Sequence, residues 1–250
     1  MSETFNPFSL EGKTILVTGA SSGIGRAVAI EASKIGALVV ITGRNQERLN
    51  ETLSNLFGEG HIAIVSDLSS NEGITHLVNE LPKLDGMVLA AGIVEMLPVL
   101  FATKEKFEKI FNTNLFSPIE IIRLAVKKKK LLPQSSIVVI DSIAGNDDFV
   151  VGNGIYGAGK AALKSYVKFC AIELVGKSIR INTVSPGLIL TPMQTNGSIS
   201  EEDLDKAIAK VPMKRWGRPE DIAYASIYLL SDASSYLTGS DIKVDGGYTI

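Results

Sequence analysis

The sequence has little of several things that would mark other functions. It holds 1 cysteine, 2 histidines and 6% aromatic residues among 250, and its formal net charge is −2. The lone Cys170 cannot close an internal disulfide, which excludes a disulfide-stapled secreted scaffold and suits the reducing cytoplasm. Its place on an apolar helical stretch reads as core and not as a reactive thiol. A charge this close to zero gives no electrostatic reason to bind nucleic acid or an anionic membrane. No uninterrupted apolar stretch reaches the ~18 residues that span a bilayer. Met1–Gly12 carries Glu3, Pro7 and Glu11 and no apolar run, so it does not read as a secretory signal. No Pro/Ser-rich linker or composition break divides the chain. Residues 1–250 are therefore expected to form a single domain with a substantial core. No metal site is expected.

What is present is an alternation of short apolar runs and longer helical patterns. Strand candidates are Thr14–Thr18, Leu38–Thr42, His61–Val65, Gly86–Ala90, Ile137–Ile140, Arg180–Val184 and Asp241–Val244. They are rich in Val and Ile and mostly lack alternation, as strands buried on both faces do. Helical patterns cover Ile24–Ile35, Gln46–Phe57, Glu72–Leu81, Thr103–Lys130, Gly157–Val175 and Pro219–Leu230, with a kink or a break expected at Pro118. This order predicts an α/β fold with a parallel, doubly wound sheet of about seven strands and helices on both faces.

The first strand–turn–helix carries Thr18-Gly19-Ala20-Ser21-Ser22-Gly23-Ile24-Gly25. Gly19, Gly23 and Gly25 allow a sharp turn and a close approach of backbone to a pyrophosphate, and the helix start at Ile24 aims free N–H groups at the anion. Ser21 and Ser22 sit in the same turn. The stretch also fits the Gly-x-Ser-x-Gly nucleophile elbow. A serine hydrolase would then need a histidine base late in the chain. His61 and His76 both lie early, so that reading falls. After the second strand comes Thr42-Gly43-Arg44. An acid there would accept bonds from the ribose of NAD, whereas Arg44 can pair with a 2′-phosphate through forked hydrogen bonds. NADP(H) is therefore the expected cofactor, with NAD(H) as the other candidate. Asp67 ends the third strand, where it can meet the adenine amino group or cap the next helix.

Proton chemistry is written further along. Tyr156 and Lys160 stand four residues apart and share a helix face. A tyrosine base working near neutrality needs its pKa lowered by about three units from ~10, or about 4 kcal/mol. One ammonium at ~4 Å supplies roughly that at an effective dielectric of ~20. Ser142 closes the fifth strand, and open parallel sheets bind ligands at the carboxyl ends of their strands. Its hydroxyl can bond a carbonyl oxygen. The glycines and alanines around Tyr156 leave room for a ligand.

At this point the chain resembles the classical short-chain dehydrogenase/reductases, most of all their 3-oxoacyl-(acyl carrier protein) reductase-like group. The resemblance rests on the Thr18–Gly25 turn, on Asn114 in Asn112-Thr113-Asn114-Leu115, and on Ser142, Tyr156 and Lys160. It also rests on Pro186-Gly187 with Thr191, and on Arg218-Pro219-Glu220-Asp221 followed by Leu237-Thr238-Gly239 and Val244-Asp245-Gly246-Gly247. It implies a Rossmann-type sheet of order 3-2-1-4-5-6-7 and a homotetramer or dimer. It implies hydride transfer between the nicotinamide and a substrate carbon, with Tyr156 as acid/base. Ser142 would orient the carbonyl, Lys160 would hold the ribose, and Asn114 would steady a water relay. The cofactor would also meet Leu68, Ala91, Gly92, Pro186, Gly187, Ile189 and Thr191, and residues 191–216 would form a substrate lid.

Two departures from the family pattern stand out. Leu89-Ala90-Ala91-Gly92 replaces the usual Asn-Asn-Ala-Gly, which removes amides that tie this strand near the cofactor. Asn146-Asp147-Asp148 sets two acids near the substrate mouth, against an acidic carrier protein, while Lys127–Lys130 forms a basic run that can dock such a carrier or serve as a solvated helix end. Trp216 is expected to anchor the return of the lid. The expectation is an enzyme reducing a ketone to a secondary alcohol or the reverse, including a 3-oxoacyl thioester. The alternatives are an NAD-dependent dehydrogenase of a polyol, sugar or steroid alcohol, and a non-catalytic dinucleotide sensor or scaffold.

Overall fold

Residues 6–195 and 201–250 are described by the computed structural model. Seven strands, β1 Thr14–Thr18, β2 Leu38–Gly43, β3 Ile62–Val65, β4 Leu84–Leu89, β5 Leu131–Ile140, β6 Arg180–Pro186 and β7 Asp241–Val244, form one parallel sheet of order β3-β2-β1-β4-β5-β6-β7. Side chains alternate between its faces. Ile15, Val17, Val39 and Ile41 point to one face, where they meet Val28 and Ala29 of α1 (Gly23–Lys34) and Ile222 and Ala223 of α9 (Pro219–Leu230). Leu16, Val40 and Met87 point to the other. There they meet α3 (Asn71–Glu80), α5 (Ser117–Lys127) and α6 (Gly154–Leu174) through Leu77, Ile121, Leu163 and Val167. Both faces are covered, which is why the strands read as unbroken apolar runs. The remaining helices are α2 (Gln46–Ser54), α4 (Lys104–Phe111), the short α7 (Pro192–Thr195) and α8 (Glu201–Lys210).

Several expected boundaries shift. β5 begins at Leu131, six residues earlier than the sequence suggests, and its register with β4 slips between Leu84 and Gly86. Pro133 lies in that irregular stretch, where a strand tolerates a residue without an N–H. The long pattern from Thr103 to Lys130 is not one helix. It divides into α4, a widened π turn over Asn112–Phe116, and α5. Pro118 lies in the first turn of α5. It has no N–H to return to the carbonyl of Asn114, and the wide turn absorbs that loss. Asn114 is thereby set at a break in the helix, buried beneath the sheet's carboxyl edge.

The chain runs outward from β1 to β2 and β3, then crosses back to β4 on the other side of β1. That reversal opens a crevice beyond the carboxyl ends of β1 and β4, the position where open α/β sheets bind ligands.

Candidate active site

The glycine turn after β1 is built by contact. Gly19 has φ +67°, and a Cβ there would lie 2.9 Å from the Ala91 Cα; a Cβ at Gly25 would lie 2.5 Å from the Gly19 carbonyl oxygen. Arg26 braces the turn from below, donating to the Ser21 carbonyl at 2.7 Å and clasping Glu51 with both guanidinium nitrogens at 2.8 Å. α2 and α3 are capped by the side chains of Asn45 and Ser70, but Ser22 gives α1 no side-chain cap, and the first turn of α1 holds no acid. Unclaimed N–H groups at a helix start next to a glycine turn fit an anionic phosphate. Thr191 reaches the same place, with its Cγ2 3.4 Å from where a Gly23 Cβ would stand. The residues present thus fit a dinucleotide.

Arg44 stands exposed just past β2, near enough to the Asp67 carboxylate to lower its pKa; the hydrogen bonds from Ser69 do more in the same direction. Asp67 does not cap α3. Its Oδ1 accepts from the N–H and hydroxyl of Ser69, and Ser70 is the cap. The side chains of Leu68 and Ile189 belong to the buried core, so only their backbones remain for a cofactor. Pro186-Gly187 is locked by the C-terminal segment: Gly187 donates to the Val244 carbonyl at 3.0 Å, and a Cβ on it would lie 2.7 Å from that of Asp245.

Ser142, Tyr156 and Lys160 converge at the carboxyl end of β5. Asp141 and Ile143 donate to the carbonyls of Val184 and Pro186, which holds Ser142 rigidly between them. Gly145 and Gly157 pack so closely that a Cβ on Gly145 would lie 2.1 Å from the Gly157 carbonyl oxygen. That contact draws the first turn of α6 against the loop, where the Ser142 hydroxyl comes close enough to Tyr156 to favour its ionised form; the same Ser142 oxygen accepts from the Ala144 N–H at 3.1 Å. Lys160 is 5% exposed, donates to the Ile140 carbonyl at 2.7 Å, and lies 5.8 Å from the centre of the Tyr156 ring.

The electrostatics correct one expectation. Tyr156 is half-buried as a residue, and the surroundings of its hydroxyl desolvate the phenolate and push the phenol up to about 12; the nearby Ser142 hydroxyl opposes this only in part, and Asp141 adds to the rise. Burial pushes Lys160 downward. The ammonium is anchored on a main-chain carbonyl instead of being aimed at the phenol, so the lowering expected from the i, i+4 spacing is not realised by the protein alone.

Asn114 spends its amide on Ile93, accepting from its N–H at 2.8 Å and donating to its carbonyl at 2.7 Å. This clasp, and Thr18, replace the amides missing from Leu89-Ala90-Ala91-Gly92. The buried Thr18 hydroxyl accepts from both Ala90 and Ala91, at 3.0 and 3.1 Å. Thr18 enters the sequence motif only as the residue before its first glycine. Only the contact of β1 with β4 explains its role.

Other expectations are revised. One of the acids after Ser142 is compensated: Asp147 pairs with Lys243 at 2.6 Å. Lys127–Lys130 lies at the amino end of β5, a strand of 10 residues whose other end carries the site. At ~3.3 Å per residue that is roughly 30 Å away, too far for a carrier docked there to present its thioester directly to Ser142. Lys128 is bound to the Asn79 side chain and Lys130 to the Asn79 and Leu81 carbonyls. Segment 191–216, expected as a lid, ends beside Gly217, whose main chain bonds with Leu188 and Leu190, both at 2.9 Å. His61 accepts from the Val39 N–H and faces the Phe57 carbonyl, so neither ring nitrogen is left for catalysis. Among the described residues no cluster of His, Cys, Asp or Glu could hold a metal, and no helix is long and apolar enough to cross a membrane.

Known proteins share this fold. The family model described as enoyl-(acyl carrier protein) reductase matches residues 19–249. A 3-oxoacyl-[acyl-carrier-protein] reductase of Rickettsia felis is 35% identical over 95% of this chain and 97% of its own. Among solved structures, a short-chain type dehydrogenase/reductase from Mycobacterium marinum superposes with a TM-score of 0.87 at 32% identity, covering 97% of this chain and 98% of the other. A Beutenbergia cavernae protein, provisionally assigned as an NAD(P)-dependent gluconate 5-dehydrogenase and holding NADP at low occupancy, has a TM-score of 0.88 at 30% identity, over 97% and 99% of the two chains.

Proposed function

The chain belongs to the short-chain dehydrogenase/reductase family and is an NAD(P)-dependent ketone/alcohol oxidoreductase, and from that premise we propose that it is an NADP(H)-preferring reductase of ketones, acting on 3-oxoacyl thioesters or similarly apolar carbonyl compounds. The observation that carries this reading is the pair of hydroxyls from Ser142 and Tyr156, close enough for the serine to act on the phenol's ionisation, beside the buried Lys160. Two hydroxyls side by side suit a carbonyl oxygen better than a carbon–carbon double bond. Bound NADPH would supply the hydride.

Ser142 donates to the substrate oxygen and fixes its direction. Tyr156, held protonated at neutral pH by its surroundings, is the acid that gives the oxygen its proton, so its resting state suits reduction. Lys160 holds the nicotinamide ribose and, when charged, stabilises the phenolate left behind. The side chain of Asn114 is committed to the loop at Ile93, so a part in water relay falls to its main-chain carbonyl. Arg44 takes the 2′-phosphate, a role supported by its exposed position and by the lack of an acid at the end of β2.

The apolar preference is supported by the rim. The loops on either side of the site, joined by Leu97 N–H to the Gly152 carbonyl at 2.7 Å, expose Met96, Phe149, Val150 and Val151. A sugar or polyol would find few hydroxyl partners there. Residues 1–250 act as one dinucleotide-binding and catalytic domain, and 191–216 as its lid, of which 196–200 lie outside the described residues. Phe116, Phe169, Ile172 and Val175 leave an exposed apolar face around α6 that a second copy would cover, making the working protein a cytoplasmic dimer or tetramer.

The test is titration with NADPH and NADH, followed by a carbonyl panel read at the nicotinamide absorbance. Tighter NADPH binding with thioester turnover is expected, and Tyr156→Phe should abolish turnover while keeping cofactor affinity. Preference for NADH, or turnover confined to sugars and polyols, would overturn it. Binding without any turnover would return the protein to the sensor class.

A further inference from the structure

Asp141 precedes Ser142 and is 2% exposed. One of its carboxylate oxygens, Oδ1, has no hydrogen-bond partner, and Oδ2 meets only the Asn146 amide at 3.5 Å. A buried acid so poorly served by hydrogen bonds needs a countercharge. Around it, Lys164 pairs with Asp241 at 2.7 Å, and Lys243 pairs with Asp147 at 2.6 Å. Asp241 is further satisfied by the hydroxyls of Thr183 and Ser185, both at 2.6 Å. That pairing leaves two buried charges over, Asp141 and Lys160. The Lys160 ammonium donates to the carbonyl of Ile140, the residue next to Asp141 in the chain.

We propose that Asp141 is a positioning residue for the reaction: it is the buried counter-ion that keeps Lys160 charged beneath Tyr156, an assignment that rests on the reading of Tyr156 as the acid/base. The electrostatics agree with the geometry. Burial pushes Asp141 up to about 6 against the pull of Lys160, the Ser142 N–H and Lys164, in that order, and Asp241 adds to the rise. Burial pushes Lys160 down, and Asp141 is what draws it back up. Asp141 also acts directly on Tyr156, by repelling the phenolate. The two effects have opposite signs at the phenol. If the carboxylate is removed, lost repulsion lowers the Tyr156 pKa, whereas discharge of Lys160 raises it. In the protein alone Lys160 is held on the Ile140 carbonyl, 5.8 Å from the centre of the Tyr156 ring; with NADP bound, the ribose would draw the ammonium toward the phenol, and there its discharge should dominate.

The experiment compares wild type, Asp141→Asn and Tyr156→Phe. It follows kcat/KM for alcohol oxidation against pH, and the Tyr156 phenolate in the NADP-bound protein by ultraviolet difference absorbance with Tyr156→Phe subtracted. Asp141→Asn should move both the rising limb of the profile and the phenolate midpoint to higher pH by about one unit, a roughly ten-fold loss of kcat/KM below the limb. Asp148→Asn, a charge removed from the same loop, should leave both in place. An unmoved midpoint, or a shift to lower pH, overturns the assignment. Asp141→Ser makes the same comparison with a smaller side chain if the asparagine variant does not fold. Retained turnover in Tyr156→Phe would instead sink the catalytic reading beneath it, so the two failures are separable.

Discussion

Replacing Thr18 by valine tests the claim that one hydroxyl does the work of the missing amides after β4. Valine keeps the shape and deletes the oxygen that accepts from the Ala90 and Ala91 N–H groups, at 3.0 and 3.1 Å, in a residue 1% exposed. Each buried N–H left without a partner costs about 1–3 kcal/mol, and release of the desolvated hydroxyl returns about 1. For the two N–H groups the net loss should be about 1–5 kcal/mol. Thr18→Ser keeps the oxygen and removes one methyl, at about 1 kcal/mol. Urea unfolding at one fixed protein concentration measures both. The valine variant should also bind NADPH about ten-fold more weakly, because Ala91 packs on Gly19 of the phosphate turn. A serine variant as damaged as the valine one, or a valine variant within 1 kcal/mol of wild type (roughly one weak hydrogen bond), would refute the reasoning.

Four further outcomes are expected. Gly25→Ala drives a Cβ toward the Gly19 carbonyl and should abolish NADPH binding in a fluorescence titration while the far-ultraviolet circular dichroism stays native. Arg44→Ala should weaken NADPH binding about 10–100-fold, the loss of a charge-assisted forked contact, and leave NADH affinity nearly unchanged in the same titration. Asp241→Asn should destabilise the protein at neutral pH by about 2 kcal/mol, a buried-pair loss discounted for partial exposure. The folded Asp241 pKa lies below its ordinary value, burial being outweighed by Lys164, Ser185 and Thr183, so its stabilisation is full above ~4 and is lost as pH falls through the folded value. The gap between wild type and variant, followed by unfolding across pH, should therefore close in acid. Ile172→Glu on the exposed face of α6 should reduce the assembly to smaller units in analytical ultracentrifugation, without loss of secondary structure.

Much of this fold can be read along the chain, and the exceptions are instructive. The strands and the turn at Gly19 announce themselves because burial on both faces demands unbroken Val and Ile, and because a glycine turn after a strand has few other uses. The break at Pro118 was legible as a break, since a missing N–H is a covalent fact. That a widened turn would form over Asn112–Phe116 and set Asn114 toward Ile93 was not, because it depends on a loop packed from β4. The early start of β5 is hidden because Pro133 and Gln134 lack strand character; the strand is continuous only because pairing with β4 holds it on both sides of them, at Leu131 and again from Ser136.

The proposed catalytic set shows the same division. The sequence alone determined which groups are available: Ser142, Tyr156 and Lys160 at fixed spacing, a phosphate turn, and an arginine where an acid would select NAD. Covalent order and local periodicity carry that information. Only the tertiary structure decided their electrostatic state. Burial raises the Tyr156 phenol and lowers the Lys160 ammonium, and it places Asp141 where its charge bears on both. A pKa depends on desolvation and on charges brought together from distant elements, here β5, α6 and β7, and these do not exist until the chain has folded.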